Sequence, residues 1–127
     1  MAHENSNIIR ELTAKERVLV EWLARNPTVE TDIPLSELDE LSVVSECRCG
    51  CASIDFAING SPVDQRGGIT VIADYLYHSE QKFQMGCFLF MSNGHIAGLE
   101  VWSVDGAETP SRLPLPVELY GYENAGR

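Results

Sequence analysis

The chain has 127 residues, which suits one domain and is too short for two ordinary ones. Its hydrophobic content of 44% is typical of a globular protein and argues against a disordered chain. With 9 basic and 19 acidic residues, the formal charge of −10 disfavours nucleic-acid binding, because the phosphates would be repelled. This acidic charge serves either solubility or the attraction of a basic partner protein.

The beginning of the chain, M-A-H-E-N-S-N-I-I-R, has no basic segment followed by an apolar run, so no secretory signal is predicted. No stretch reaches the roughly 18 apolar residues of a membrane helix. Four cysteines without a secretory signal indicate a cytoplasmic protein with free thiols.

The first predicted element is a helix that begins at Thr13. Thr13 and Glu16 form the T-x-x-E pattern of a capping box, in which each side chain binds a free backbone N–H group. The helix ends before Pro27, since the residue preceding a proline disfavours the α conformation. A second short helix is predicted from Pro34, where leucines recur at every third position, namely Leu35, Leu38 and Leu41.

The pattern then changes to alternation, which predicts strands. The predicted strands cover residues 43–49, 53–58, 69–78, 83–91 and 95–104. Asn93-Gly94 favours a two-residue type I′ turn between the last two. The predicted fold is therefore α+β, with two N-terminal helices packed on an antiparallel meander of four or five strands. We expect one domain over residues 1–127, with flexible segments at 1–10 and 118–127.

The segment C-R-C-G-C places Cys47, Cys49 and Cys51 at alternate positions. In an extended strand Cys47 and Cys51 would lie about 13 Å apart. Four sulfurs around zinc lie only about 4 Å from one another. Strand spacing likewise excludes a disulfide between Cys47 and Cys49. The extended conformation thus favours three buried structural thiols, with metal binding and redox sensing as alternatives.

A metal site here requires a tight turn at Gly50 and a fourth ligand, for which Cys87, His78 and His95 are the candidates. No cofactor is predicted other than this possible zinc ion. The usual C-x-x-C spacing of zinc sites is not present in this segment.

Two-residue turns at Glu80-Gln81 and Asn93-Gly94 would place Asp74, Cys87 and Glu100 in one row across three strands. The two carboxylates would lie about 9.6 Å apart, with Trp102 on the same face. We therefore consider Asp74, Cys87, Glu100 and Trp102 to face a ligand or partner. The alternative, which we favour for the two carboxylates, is a hydrogen-bonded structural pair. No catalytic residue is assigned.

The segments C-R-C-G-C-A-S and L-E-V-W resemble a group of small bacterial proteins with a C-x-C-G-C-x-[ST] segment and an L-E-V-[WY] strand. The resemblance spans roughly residues 41–116. Its shared motifs include Cys47, Cys49, Cys51, Glu100 and Trp102 but do not assign them a role. The L-T-x-x-E opening of the helix is also similar to small immunity-type proteins of toxin systems.

Three functions are consistent with the sequence. The leading prediction is a non-enzymatic domain that binds a protein partner or itself, in its sharpest version an immunity-like protein that covers a basic toxin. The second is a metal-binding domain through Cys47, Cys49 and Cys51. The third is a small-ligand binder or an enzyme that uses Asp74 and Glu100, together with Tyr75.

Overall fold

A computed structural model describes residues 8–124. These residues form one antiparallel sheet of seven strands with one α-helix packed on it. The helix α1 covers Ala14–Arg25, and short 3-10 helices cover Leu35–Glu40, Pro116–Glu118 and Tyr122–Asn124. The strands are β1 (Arg10–Glu11), β2 (Leu41–Glu46), β3 (Ile54–Ile58), β4 (Ser61–Pro62), β5 (Thr70–His78), β6 (Gln84–Ser92) and β7 (His95–Ser103).

The predicted α+β fold, with two helices on a four- or five-stranded meander, is wrong. The protein is mostly β, and its strand order is β1-β2-β3-β7-β6-β5, with β4 pairing only with β3. The second predicted helix is the 3-10 segment Leu35–Glu40. Leu35, Leu38 and Leu41, the first residue of β2, recur every third residue, which matches the three residues per turn of a 3-10 helix.

The capping box at the start of α1 is confirmed. The Thr13 hydroxyl accepts a hydrogen bond from the Glu16 N–H group at 3.1 Å, and the Glu16 carboxylate accepts one from the Thr13 N–H group at 2.9 Å. The helix buries one apolar side against the sheet, formed by Leu19, Val20, Leu23 and Ala24. The core therefore lies between α1 and one face of the sheet, which we call the core face.

The turn between β6 and β7 is also confirmed. Asn93 and Gly94 have positive φ angles of 56° and 82°, as a type I′ turn requires, and Ser92 lies opposite His95. Beyond this turn the register shifts between Phe90 and Met91, because Ala97 is an extra residue on β7. Phe90 then pairs with Gly98, and every later pair differs by one residue from the prediction.

The turn between β5 and β6 has three central residues instead of two. The Lys82 N–H group donates to the Ser79 oxygen and the Ser79 N–H group to the Phe83 oxygen, each at 2.9 Å. Lys82 has a φ of 73°, so the loop is a type I turn followed by a residue in the left-handed region. This extra residue places Phe88 opposite Asp74 and Tyr75 opposite Cys87.

The predicted row of Asp74, Cys87 and Glu100 is therefore wrong at its centre. Phe88 pairs with Asp74 on one side and with Glu100 on the other. Cys87 points to the core face and is fully buried. Because both registers slip by one residue along β6, the two carboxylates still share a row on the opposite face, which we call the outer face.

The two segments expected to be flexible are only partly described, since residues 1–7 and 125–127 lie outside the described range. Arg10 belongs to β1, which pairs with β2. Near the other end, Tyr120 forms an antiparallel bridge with Leu76 on β5. None of the helices in residues 8–124 is long and apolar enough to cross a membrane.

Candidate thiol and metal site

The cysteine segment lies in a turn between β2 and β3. β2 ends at Glu46, and Gly50 has a positive φ of 94°, which glycine adopts without strain. Backbone bonds hold the loop at two points. Cys47 N–H donates to the Ser53 oxygen at 3.2 Å, and Ala52 N–H donates to the Pro110 oxygen at 2.9 Å. The predicted extended strand over residues 43–49 therefore stops before the first cysteine.

This turn brings the three predicted cysteines together. The sulfurs of Cys47, Cys49 and Cys51 all lie within 4.8 Å of one another. Cys47 and Cys49, whose Cα atoms are 5.4 Å apart, are joined as a disulfide, and Cys51 is a free thiol. The predicted wide separation and the exclusion of this disulfide are thus wrong, because both assumed an extended strand.

The interpretation of these cysteines as buried structural thiols is also wrong. Cys49 is exposed, and Cys47 and Cys51 are half-buried. The expectation of free thiols throughout fails as well, since it holds only for Cys51 and Cys87. The thiol site is therefore open to solvent and to reagents.

A cleft of about 290 Å³ lies beside the sulfurs, and its lining includes Cys47, Cys51, Arg10, Glu16 and Glu46. The Arg10 guanidinium donates two hydrogen bonds to Glu16, at 2.8 and 2.9 Å, and one to Glu46 at 2.8 Å. Burial alone would raise the pKa of Glu16, but the hydrogen bonds from Arg10 and Thr13 lower it overall. Two carboxylates thus offset the positive charge of Arg10, which leaves little net field to favour thiolates.

The spacing of residues in the sequence does not associate this ionic cluster with the cysteines. Only the capping box that includes Glu16 gives a local signal, and it indicates a helix start. Arg10 and Glu46 are 36 positions apart in the chain and meet because β1 pairs with β2. Such proximity follows from the topology and leaves no trace in the spacing of residues.

None of the three predicted fourth ligands belongs to the cluster. Cys87 is fully buried on β6, and burial raises its pKa to about 12. The Nδ1 atom of His95 lies 2.6 Å from a carboxylate oxygen of Glu37, and the His78 ring stacks on Tyr120. Within residues 8–124, no histidine or carboxylate joins the three sulfurs at the same distance.

The cluster can hold a metal ion once its disulfide is reduced. Three thiolates would then occupy one side of the ion, and a fourth position would remain open to solvent. In the oxidised form the same turn contains one disulfide and one neighbouring thiol. The geometry therefore supports metal binding in one redox state and thiol–disulfide exchange in the other.

The other predicted site residues do not form a catalytic group. Asp74 and Glu100 lie on the outer face, where burial raises the pKa of both carboxyls. Tyr75 points to the opposite face, and its hydroxyl donates to the Asn26 carbonyl oxygen at 2.7 Å. Tyr75 therefore cannot act together with the two carboxylates.

No known protein family, curated protein or solved structure matches this chain. The resemblance to small bacterial proteins and to immunity-type proteins therefore stays a prediction.

Proposed function

We propose that the reduced protein binds zinc through Cys47, Cys49 and Cys51. The observation that carries this proposal is the meeting of three sulfurs within 4.8 Å on a turn open to solvent. Sulfurs bound to one zinc ion lie about 4 Å apart, since each is about 2.3 Å from the metal. On reduction the sulfurs of Cys47 and Cys49 move apart to that spacing, and the Cys51 sulfur has to approach them by less than about 1 Å.

Charge favours the same assignment. Three thiolates at this separation repel one another, and a divalent cation offsets that repulsion. The arginine that lines the cleft is already paired with Glu16 and Glu46, so it does not supply this charge. The formal charge of −10 raises the local concentration of cations further.

The open fourth position distinguishes this site from a closed structural zinc site. Structural sites have four protein ligands, whereas three protein ligands leave room for water or for a ligand from another molecule. We propose that the ion exchanges readily with solvent and that its occupancy depends on the redox state. A reducing cytoplasm, the proposed compartment, keeps the thiols available.

The redox step itself is a thiol–disulfide exchange. Cys47 and Cys49 together give up two electrons and, as thiols, two protons, and a small-molecule disulfide takes these up to become two thiols. The new bond joins the two cysteine sulfurs, which removes two of the three ligands. Cys51 alone cannot hold the ion, so oxidation releases it.

The test is a titration of the full chain, reduced and kept without oxygen, with Co²⁺ and then with zinc. Tetrahedral thiolate coordination gives Co²⁺ intense visible absorption, and zinc abolishes this absorption by displacement. Replacing a residue that only supports a ligand typically costs 10–100-fold in affinity, so C47S, C49S or C51S is expected to cost at least about 100-fold.

The matched control is Cys87→Ala, which removes the fourth cysteine from the core and leaves the turn intact. It is expected to keep full metal affinity. The proposal fails if reduced protein binds no Co²⁺, or if C87A weakens binding as much as the changes in the turn.

A further inference from the structure

The outer face of the sheet carries a second group of side chains, the outer patch, formed by Asp74, Phe88, Glu100 and Trp102. The register places Phe88 directly between Asp74 and Glu100. Adjacent strands are about 4.8 Å apart, so the Cα atoms of the two acidic residues are separated by about 9.6 Å. None of these residues belongs to the thiol site.

The aromatic members of the outer patch are half-exposed, and one lies against a glycine of the neighbouring strand. A Cβ atom on Gly86 would collide with the Trp102 indole, so the ring occupies the space over the glycine. Phe88 packs beside Phe90, with ring centroids 5.9 Å apart. The indole N–H group of Trp102 is buried without a hydrogen-bond partner in residues 8–124.

In the part of the chain that the structure describes, neither carboxylate pairs with a basic side chain. The ion pairs found among residues 8–124 include neither Asp74 nor Glu100. Asp74 accepts one hydrogen bond, from the Tyr122 hydroxyl at 3.1 Å. Both carboxylates are partly desolvated beside aromatic rings, a setting in which an added cation is favourable.

We propose that the outer patch binds arginine side chains of a basic protein segment. A guanidinium group is planar, stacks on aromatic faces and pairs with carboxylates through two parallel hydrogen bonds. Trp102 and Phe88 supply the stacking faces, and Asp74 and Glu100 supply one carboxylate on each side of Phe88. The separation of the carboxylates suits two arginines, one at each acidic residue.

Charge selects this occupant over a second copy of the chain. Two copies, each with a formal charge of −10, repel each other at any shared acidic surface. Lysine has a compact ammonium group without a flat face, so it gains less from the aromatic rings. The outer patch therefore favours a segment rich in arginine over one rich in lysine.

The test uses the full chain and a capped hexaarginine peptide, with hexalysine as the comparison, by calorimetry at one fixed low salt concentration. D74N/E100Q removes both proposed ion pairs and is expected to weaken hexaarginine binding on the order of tenfold. The control E30Q/D39N removes the same charge from two other exposed positions and is expected to weaken it less than about twofold. The indole N–H signal of Trp102, assigned with W102F, should shift when the peptide binds.

Any of four results would overturn the proposal. One is equal weakening by the two double variants, which would indicate diffuse attraction to an acidic surface. Another is hexalysine binding as tight as that of hexaarginine, and a third is no binding of either peptide. The last is a dimer in sedimentation that D74N/E100Q dissociates, which would assign the outer patch to a second copy.

Discussion

The four cysteines occupy two regions, the sheet and the turn after β2, in which the same side chain differs in burial and in reactivity. Cys87 lies in the middle of the sheet, paired with Tyr75 on one side and Val101 on the other. Burial raises its pKa to about 12, so its thiol is inert at neutral pH. Cys49 is exposed in a turn and bonded to Cys47.

The difference shows that backbone conformation decides which chemistry a cysteine can perform. Alternation along a strand separates neighbouring side chains and buries every second one. A turn with one residue at positive φ brings alternate side chains to the same point. Four experiments test how far this contrast between the sheet and the turn extends.

The largest expected effect is in thiol reactivity. A pKa of about 12 lowers the thiolate fraction of Cys87 roughly 1000-fold at neutral pH relative to an unperturbed cysteine, and burial blocks the reagent as well. In reduced native protein, iodoacetamide should label the turn cysteines at least about 1000 times faster than Cys87. Peptide mass spectrometry over time measures the rates. Comparable labelling rates for Cys87 and the turn cysteines in folded protein would contradict the predicted difference in reactivity.

The next effect is in stability. Leu89→Ala in the fully buried centre of β6 should lower the free energy of unfolding by about 2–5 kcal/mol, because it leaves a cavity. In reduced protein, Cys49→Ala on the exposed turn should change it by less than about 0.5 kcal/mol. Urea unfolding with a reductant present measures both. A large loss in C49A would mean that the turn contributes to the core.

A smaller effect concerns the conformation of the turn. Gly50 has a φ of 94°, and no atom lies within 4 Å of the position that a Cβ atom would occupy. Gly50→Ala therefore introduces backbone strain without a collision. We expect a loss of about 1–2 kcal/mol in the free energy of unfolding and weaker zinc binding. Gly67 has equally open surroundings without a positive φ, so Gly67→Ala is the control and should be near neutral. Equal effects of the two changes would argue against a strained turn.

The smallest effect concerns pH and the outer face. Burial raises the pKa of Glu100 in the folded state, so its charge destabilises the fold above that pKa and the penalty disappears as pH falls. Glu100→Gln should therefore stabilise the protein at neutral pH. Solvent screening limits the gain to less than about 0.5 kcal/mol. Urea unfolding at neutral and acidic pH should show this gain only at neutral pH, and a gain independent of pH would exclude the explanation.

The sequence predicts features that depend on a few adjacent residues. The capping box at Thr13 and the turn at Asn93-Gly94 are such features, since their hydrogen bonds and φ angles are set locally. The segment after Pro34 is predicted as a short helix, and its three-residue period matches the 3-10 helix that the structure shows.

The register of the sheet depends on packing and could not be predicted. The extra residue Ala97 places Gly98 under the ring of Phe90, a contact between two strands that alternation does not encode. The extra loop residue Lys82 produces the second slip. Both slips move β6 by one residue, which explains why Asp74 and Glu100 share a row while Cys87 does not belong to it.

The sequence singles out the three cysteines of the site, but the extended conformation predicted for them is wrong. Alternating residues after β2 continue the strand pattern, so an extended conformation followed from periodicity. Gly50 marked the possible turn, but a glycine permits a positive φ without requiring it. The contacts of Cys47 with Ser53 and of Ala52 with Pro110 close the loop, and they involve later segments of the chain.

The bridge between Leu76 and Tyr120 bears on how the protein avoids uncontrolled self-assembly. β5 is a nine-residue strand at the edge of the sheet, and such edges act as templates on which other chains polymerise. Leu76 and Tyr120 exchange two backbone hydrogen bonds of 2.9 Å, which occupy part of that edge near the end of β5. A short segment after the last strand thus covers backbone groups that another chain could otherwise pair with.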